Sequence, residues 1–144
     1  MTTIVIGDIL KVGRSGIICH QVNCRKVAGR GLAKQIRDQI SGWYGLFKTL
    51  NGHLGEVSYF HYGDTVIASL YAQDGYGTDR QYTDYKALRE CLNRVSHYSD
   101  SNSQKRVYIP FGMGAGLGGG NWNTILDVIR ETIPEAIIVK LEDK

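Results

Sequence analysis

The chain has 144 residues, 42% apolar and 22% charged, with 17 basic against 14 acidic side chains and a net charge of +3. That is material for one domain with one core and too little for two. It excludes a helical membrane span, which needs an apolar run of ~20 residues, and the large positive excess that announces a general polyanion binder.

Residues 2–6 are a β-branched run and predict a strand, closed by Gly7-Asp8. Residues 16–22 predict a second, and the near-continuous apolarity of Ile17, Ile18, Cys19 and Val22 fits a strand covered on both faces. After a loop over 23–30, Leu32, Ile36 and Ile40 recur every four residues and predict a helix over 31–40. A short helix over 43–50 ends at Asn51-Gly52. Strands over 56–62 and 65–73 flank the turn pair Gly63-Asp64 and predict a hairpin. A polar loop over 74–81 follows. Leu88, Cys91, Leu92 and Val95 then share one face of a helix over 83–96, with Thr83 and Asp84 available as N-caps. A polar loop over 100–105 leads to a strand over 106–111. Next come six glycines in the nine residues 112–120, a helix over 122–132, and a final strand over 136–141.

This order predicts an α/β fold in one domain over 1–144: a mixed six-stranded sheet with helices on both faces. Ligands of such sheets sit beyond the carboxyl ends of the strands. Four polar or glycine-rich segments follow strand ends here, at 7–8, 20–31, 73–79 and 112–120. Their convergence on one crevice is the main functional expectation.

The glycine run is the most telling of the four. Glycine loses much backbone entropy on ordering, so such a run belongs where φ is positive or where N–H groups must approach an anion closely. A helix opening directly after it adds a favourable dipole. The pattern predicts a phosphate cradle. Gly114-Ala115-Gly116-Leu117-Gly118-Gly119 also satisfies the dinucleotide pattern GxGxxG, with Glu142 beyond the next strand. That motif, however, follows the first strand of its fold and needs further βα units behind it. A P-loop is excluded, because no Gly-Lys-Ser/Thr closes the run. Three cysteines, Cys19, Cys24 and Cys91, with no export signal ahead of them, are expected as reduced thiols in a cytoplasmic protein. Their spacing fits no metal site, and neither a metal nor a cofactor is expected.

Taken together, the segments resemble the macro domain, a family that binds ADP-ribose. Gly7-Asp8-Ile9-Leu10 looks like its opening motif. His20-Gln21-Val22-Asn23-Cys24 followed by Gly29-Arg30-Gly31-Leu32-Ala33 resembles its first ligand loop, and 112–120 with Trp122 its second, phosphate-gripping one. The spacing is most similar to the ADP-ribose 1''-phosphate phosphatase branch, where a His also stands three residues before an Asn-Cys pair. A sister branch that removes ADP-ribose from proteins uses a Lys and an Asp; Gln73 and Gly118 stand at those places here.

The resemblance implies roles. Asp8 accepts from the adenine amino group, and Ile9 offers its N–H near the base. Gly29, Gly31 and Leu32 let the first loop approach the diphosphate or distal ribose. Gly112, Met113, Gly114, Ala115, Gly116 and Leu117 form the second loop, with N–H donors for the diphosphate, and Phe111 lies beside the ribose or in the core. Asn23 meets the distal ribose or caps a turn. His20 is a phosphate ligand, a general acid or base, or a structural residue. Asp74 activates a water or fixes a turn with Gly75. Tyr76, Tyr82 and Tyr85 cover a ligand or pack. The expected activity is metal-independent hydrolysis of ADP-ribose 1''-phosphate, with a non-enzymatic ADP-ribose reader and an ADP-ribosyl hydrolase as alternatives. Arg25, Lys26, Arg30, Lys34 and Arg37 read as a solvated basic face, so nucleic acid is expected only through terminal groups. A monomer without membrane contact is expected.

Overall fold

Alternation along one strand sets the layers. In β2 (Ile17–Asn23), Ile17 and Cys19 point to one face of the sheet, and Ile18 and Val22 to the other. Both faces of β2 are buried, as its apolar run predicts. The computed structural model describes residues 2–75, 79–116 and 118–142. Its other strands are β1 (Thr3–Ile6), β3 (Val57–Tyr62), β4 (Thr65–Gln73), β5 (Val107–Pro110) and β6 (Ile137–Lys140). They form one six-stranded sheet in the order β1-β6-β5-β2-β4-β3. Strands β1, β6, β5, β2 and β4 run parallel, and β3 returns antiparallel on β4 through the expected hairpin.

Helices α1 (Ile9–Val12), α2 (Gly31–Gln39) and α3 (Trp43–Phe47) cover one face. There Ile9, Ile36, Trp43 and Phe47 pack on Ile18, Ile67, Tyr71 and Val139. Helices α4 (Tyr85–Ser101) and α5 (Trp122–Thr132) cover the other with Leu88, Leu92, Val95, Ile125 and Ile129. The result is the predicted α/β/α sandwich. Because five strands are parallel, the segments after β1, β2, β4 and β5 all leave at the same edge of the sheet.

Helix α3 ends at Phe47 and not at 50, and two further elements depart from expectation. The four-residue α1 is not predicted; Asp8 caps it, its side chain accepting from the Leu10 N–H. Helix α4 runs to Ser101 and not to 96, because Tyr98 stacks on Tyr59 at 3.9 Å between ring centroids and draws a polar stretch into the helix. Among the described residues, no helix is long and apolar enough to cross a membrane.

Candidate functional site

At the carboxyl edge, three hollows join into one groove. One of about 320 Å³ lies between Gly7, Asp8, Ile9, Leu32, Phe111 and Lys140. A central one of about 440 Å³ lies between Gly31, Leu32, Phe111, Gly112, Met113, Gly114 and Gly116. A third of about 240 Å³ is lined by Gln21, Asn23, Gly29, Arg30 and Gln73. Gly31, Leu32, Pro110 and Phe111 border both of the first two, and Gln21, Arg30, Ala33 and Gln73 both of the last two. The segments after β1, β2 and β5 therefore meet as expected, and Gln73 brings in the end of β4. A larger hollow of about 550 Å³ lies by Thr3, Arg106 and Ile137, at the opposite edge, away from these loops.

The glycine loop has two halves. In the first, Gly112 and Gly114 both have φ +79°, a region that favours glycine. Space is open beside Gly112 and Gly116, and neither Gly114 nor Gly116 donates its N–H to another backbone group among the described residues. Ala115 corrects the expectation that it donates to a ligand: its N–H bonds to the Gly112 carbonyl at 2.9 Å and closes a turn. Met113 is buried in the core, its N–H on the Pro110 carbonyl at 3.1 Å. Leu117 lies outside the described residues, as does Tyr76. In the second half, a Cβ on Gly118 would meet Thr83 Oγ1 and the Gly114 carbonyl, and one on Gly119 the Arg80 carbonyl. Close packing explains both glycines, and Gly118 also borders the central hollow.

A polar network ties this loop to the sheet. Thr83 Oγ1 donates to the Gly114 carbonyl at 2.8 Å and accepts from Gln21 Nε2 at 2.8 Å. Gln21 Nε2 also donates to Gln73 Oε1 at 2.8 Å, and Gln73 Nε2 donates to the Gly75 carbonyl at 2.8 Å. The Gly75 carbonyl fixes the orientation of the Gln73 amide, and that fixes Gln21. Gln21 Oε1 is left buried without a hydrogen-bond partner among the described residues. Sequence reasoning missed Gln21 and Thr83, because the network links segments 52 and 62 residues apart.

Across the groove, α2 opens without a side-chain cap on its first turn and without an acidic residue there. Its N–H groups leave positive partial charge facing the central hollow. Arg30 and Lys140 border the groove and stand in no ion pair among the described residues. Gly29 and Gly31 have open space where a side chain would be.

Asn23 takes the local role. Its Oδ1 accepts from Arg25 N–H at 3.0 Å and Val27 N–H at 3.2 Å, and its Nδ2 donates to the Val27 carbonyl at 3.0 Å. It shapes the loop, with one amide proton left for another partner. Phe111 is 41% exposed and not core: it stands between two hollows, 5.0 Å from Trp122, with Lys140 Nζ 4.9 Å from its ring centroid. Asp8 lines the first hollow, and capping α1 occupies one lone pair of a carboxylate that has several. Ile9 is a core residue at the same wall.

The two catalytic candidates stand in unlike places. His20 borders the central hollow but is only 2% exposed, edge-on to Trp43 at 5.2 Å, and burial lowers its pKa to about 3. A general acid works best with a pKa near the operating pH, and this imidazole is neutral at pH 7. Its Nε2 lies 2.7 Å from Ser69 Oγ, which also accepts from Trp43 Nε1 at 3.2 Å. With the serine proton directed to Nε2, the His20 proton sits on Nδ1, a buried atom with no partner. Asp74 is exposed and lines none of the three hollows. The cysteines are free thiols and also lie outside the groove lining.

No family model matches the chain. An uncharacterised 17.5 kDa protein of the tk–vs intergenic region of Enterobacteria phage T4 is 26% identical over 148 residues, 95% of this chain and 92% of its own. A protein of unknown function from Bacteroides thetaiotaomicron has a TM-score of 0.87 at 22% identity, covering 99% of this chain and 98% of its own. A macrodomain protein from Streptomyces coelicolor superposes with a TM-score of 0.79 at 18% identity over 100% of both chains. DarTG of Thermosipho africanus, solved in complex with ADP-ribose, gives 0.78 at 16% identity over 97% of this chain and 42% of that one. At these identities the likeness establishes architecture: the chain has the macrodomain fold.

Proposed function

We propose that the groove binds ADP-ribose derivatives. The observation that carries this reading is the opposition of two donor surfaces across the central hollow, the uncapped start of α2 and the Gly112–Gly116 half of the glycine loop. Both present backbone N–H groups suited to a diphosphate. Asp8 then reads the adenine amino group in the first hollow, Phe111 flanks the ribose next to it, and the distal ribose enters the third hollow beside Asn23 and Arg30. The macrodomain fold, and the ADP-ribose bound to a structural neighbour of the same architecture, support the assignment.

Binding without turnover is the reading the geometry supports best, since His20 is neutral and Asp74 stands outside the groove. Hydrolysis of ADP-ribose 1''-phosphate is the second reading, favoured by Arg30 at the terminal hollow, where a cation suits a phosphate monoester. It would rest on fixed dipoles stabilising charge. Removal of ADP-ribose from proteins has less support: the Gln73 amide is engaged on both sides, and Gly118 has no room for a carboxylate.

Calorimetric titration with ADP-ribose, together with a phosphorus NMR time course on ADP-ribose 1''-phosphate, tests this. Saturable heat that Asp8→Ala weakens, with no inorganic phosphate released, is the expected result. Release of phosphate would move the assignment to the phosphatase. The absence of binding by either ligand would end both readings.

A further inference from the structure

Thr83 occupies an unusual position between the sheet and the glycine loop. Its backbone is fixed to β4 by a bridge with Gln73, and the next residue, Asp84, donates its N–H to the Ala72 carbonyl at 2.7 Å. From that anchored place Thr83 reaches the glycine loop twice. Its N–H, with that of Tyr82, bonds to the Gly118 carbonyl at 2.8 Å, and its hydroxyl bonds to the Gly114 carbonyl at 2.8 Å. The same hydroxyl accepts from Gln21 on β2. Thr83 is buried and does not line the groove.

Beside Thr83, the buried Met113 side chain anchors the first turn of the loop in the core. The loop's internal bonds, Ala115 to Gly112, Gly119 to Gly116 and Gly120 to Gly114, fold it on itself without fixing it to the sheet. Beyond Met113, so glycine-rich a segment samples many shapes unless it is held. One more contact, Tyr85 Oη accepting from Asn121 N–H at 2.8 Å, holds the end of the loop where α5 begins. Within the ligand-facing half, the Gly114 carbonyl is fixed from outside by Thr83. A peptide unit is planar, so fixing that carbonyl also fixes the direction of the Ala115 N–H and the entry to Gly116.

We propose that Thr83 is the positioning residue of the glycine loop: its hydroxyl holds the Gly114 peptide, whose own N–H closes the turn onto Gly112, in the orientation that leaves the flanking Gly114 and Gly116 N–H groups to the groove, and it thereby sets affinity for the diphosphate without touching it. The inference rests on the ADP-ribose reading for its binding part and on the free protein for its structural part.

Thr83→Val keeps the shape and the backbone bond to Gly118 and removes only the hydroxyl. In amide NMR spectra of the free protein, the Ala115 signal, which shares its peptide with the Gly114 carbonyl, is expected to move. The Gly119 signal, which shares its peptide with the Gly118 carbonyl, is expected to stay. ADP-ribose affinity should fall about tenfold, the worth of one well-made buried hydrogen bond. Adenosine, which has no diphosphate, should bind as to the parent in NMR titration, and Thr83→Ser should restore ADP-ribose binding. An unmoved Ala115 signal in Thr83→Val overturns the inference. So does an equal loss for ADP-ribose and adenosine, which marks general destabilisation. If Thr83→Val does not fold, Thr83→Ala removes the hydroxyl with less bulk, and the Ala115 signal decides in the same way. If the parent binds no ADP-ribose, the functional reading fails, while the Ala115 and Gly119 signals still decide whether Thr83 sets the loop.

Discussion

The loops after β2 and β5 border the same groove and are held by opposite means. The loop after β2 carries its own brace: Asn23 bonds three backbone groups within four residues of itself. In the loop after β5 the buried Met113 anchors only the first turn, and the rest is held from outside, by Thr83 and Tyr85. A self-braced loop keeps its shape whatever its neighbours do. A loop held from outside can be reshaped by a change in a segment that never meets the ligand. The contrast also separates two uses of glycine within one run, open space for a ligand at Gly112 and Gly116, and close packing at Gly118 and Gly119.

Substitutions can break or sharpen that contrast. The largest loss is expected from Gly118→Val, whose side chain would be forced into Thr83 and the Gly114 carbonyl; stability should fall by ~3 kcal/mol, read from urea unfolding. An unchanged midpoint would mean that the loop does not rest on Thr83. Acid acts next, on the β2 side. His20 has a folded pKa of about 3, below the ordinary 6.5 it regains on unfolding. The unfolded chain therefore binds the extra proton, so this contribution is complete above pH 6.5 and declines as pH falls towards 3. The decline should approach ~1.4 kcal/mol per pH unit and be missing from His20→Gln; parallel pH profiles for parent and variant would contradict the burial of a neutral imidazole. Asn23→Ala removes the brace of the first loop and should lower stability by ~2 kcal/mol, with exchange of the Arg25 and Val27 amides accelerated and that of the Gly119 amide unchanged. The smallest change in stability, within ~0.5 kcal/mol, is expected from Gly116→Ala, because Gly116 has open space and no positive φ. Its ADP-ribose affinity should nonetheless drop about tenfold, since a methyl group would stand where the ligand must approach the backbone. Undiminished binding would show that no ligand reaches Gly116.

Much of this architecture is legible in local sequence. The apolar run of β2, the Gly63-Asp64 hairpin and the four-residue spacing of α2 each announce their element, and strand ends announce which loops meet. The turn role of Asn23 is written in its position at a strand end. What local pattern does not carry is contact between distant segments. Helix α4 continues through Ser96 and Ser99 because Tyr98 finds Tyr59 on another strand. The Gln21–Thr83–Gln73 network joins three segments, none of which signals it alone. Asp74 follows a strand end like the loops that do line the groove, yet it turns to solvent while its neighbour Gln73 turns inward. Nor does local pattern show that His20, at the wall of the central hollow, is packed against Trp43 and bonded to Ser69.

The chain has two tryptophans, and the fold separates them into unlike surroundings. Trp43 is sealed against Phe47 and His20, whereas Trp122 is half-buried against Phe111 at the rim of the groove. Excited with ultraviolet light, the first should emit at short wavelength and resist acrylamide quenching, and the second should emit further to the red and be quenched readily. Trp43→Phe would leave a single tryptophan, packed on Phe111, so the unlabelled protein, excited beyond the tyrosine band, can report occupancy by colour and quenching alone.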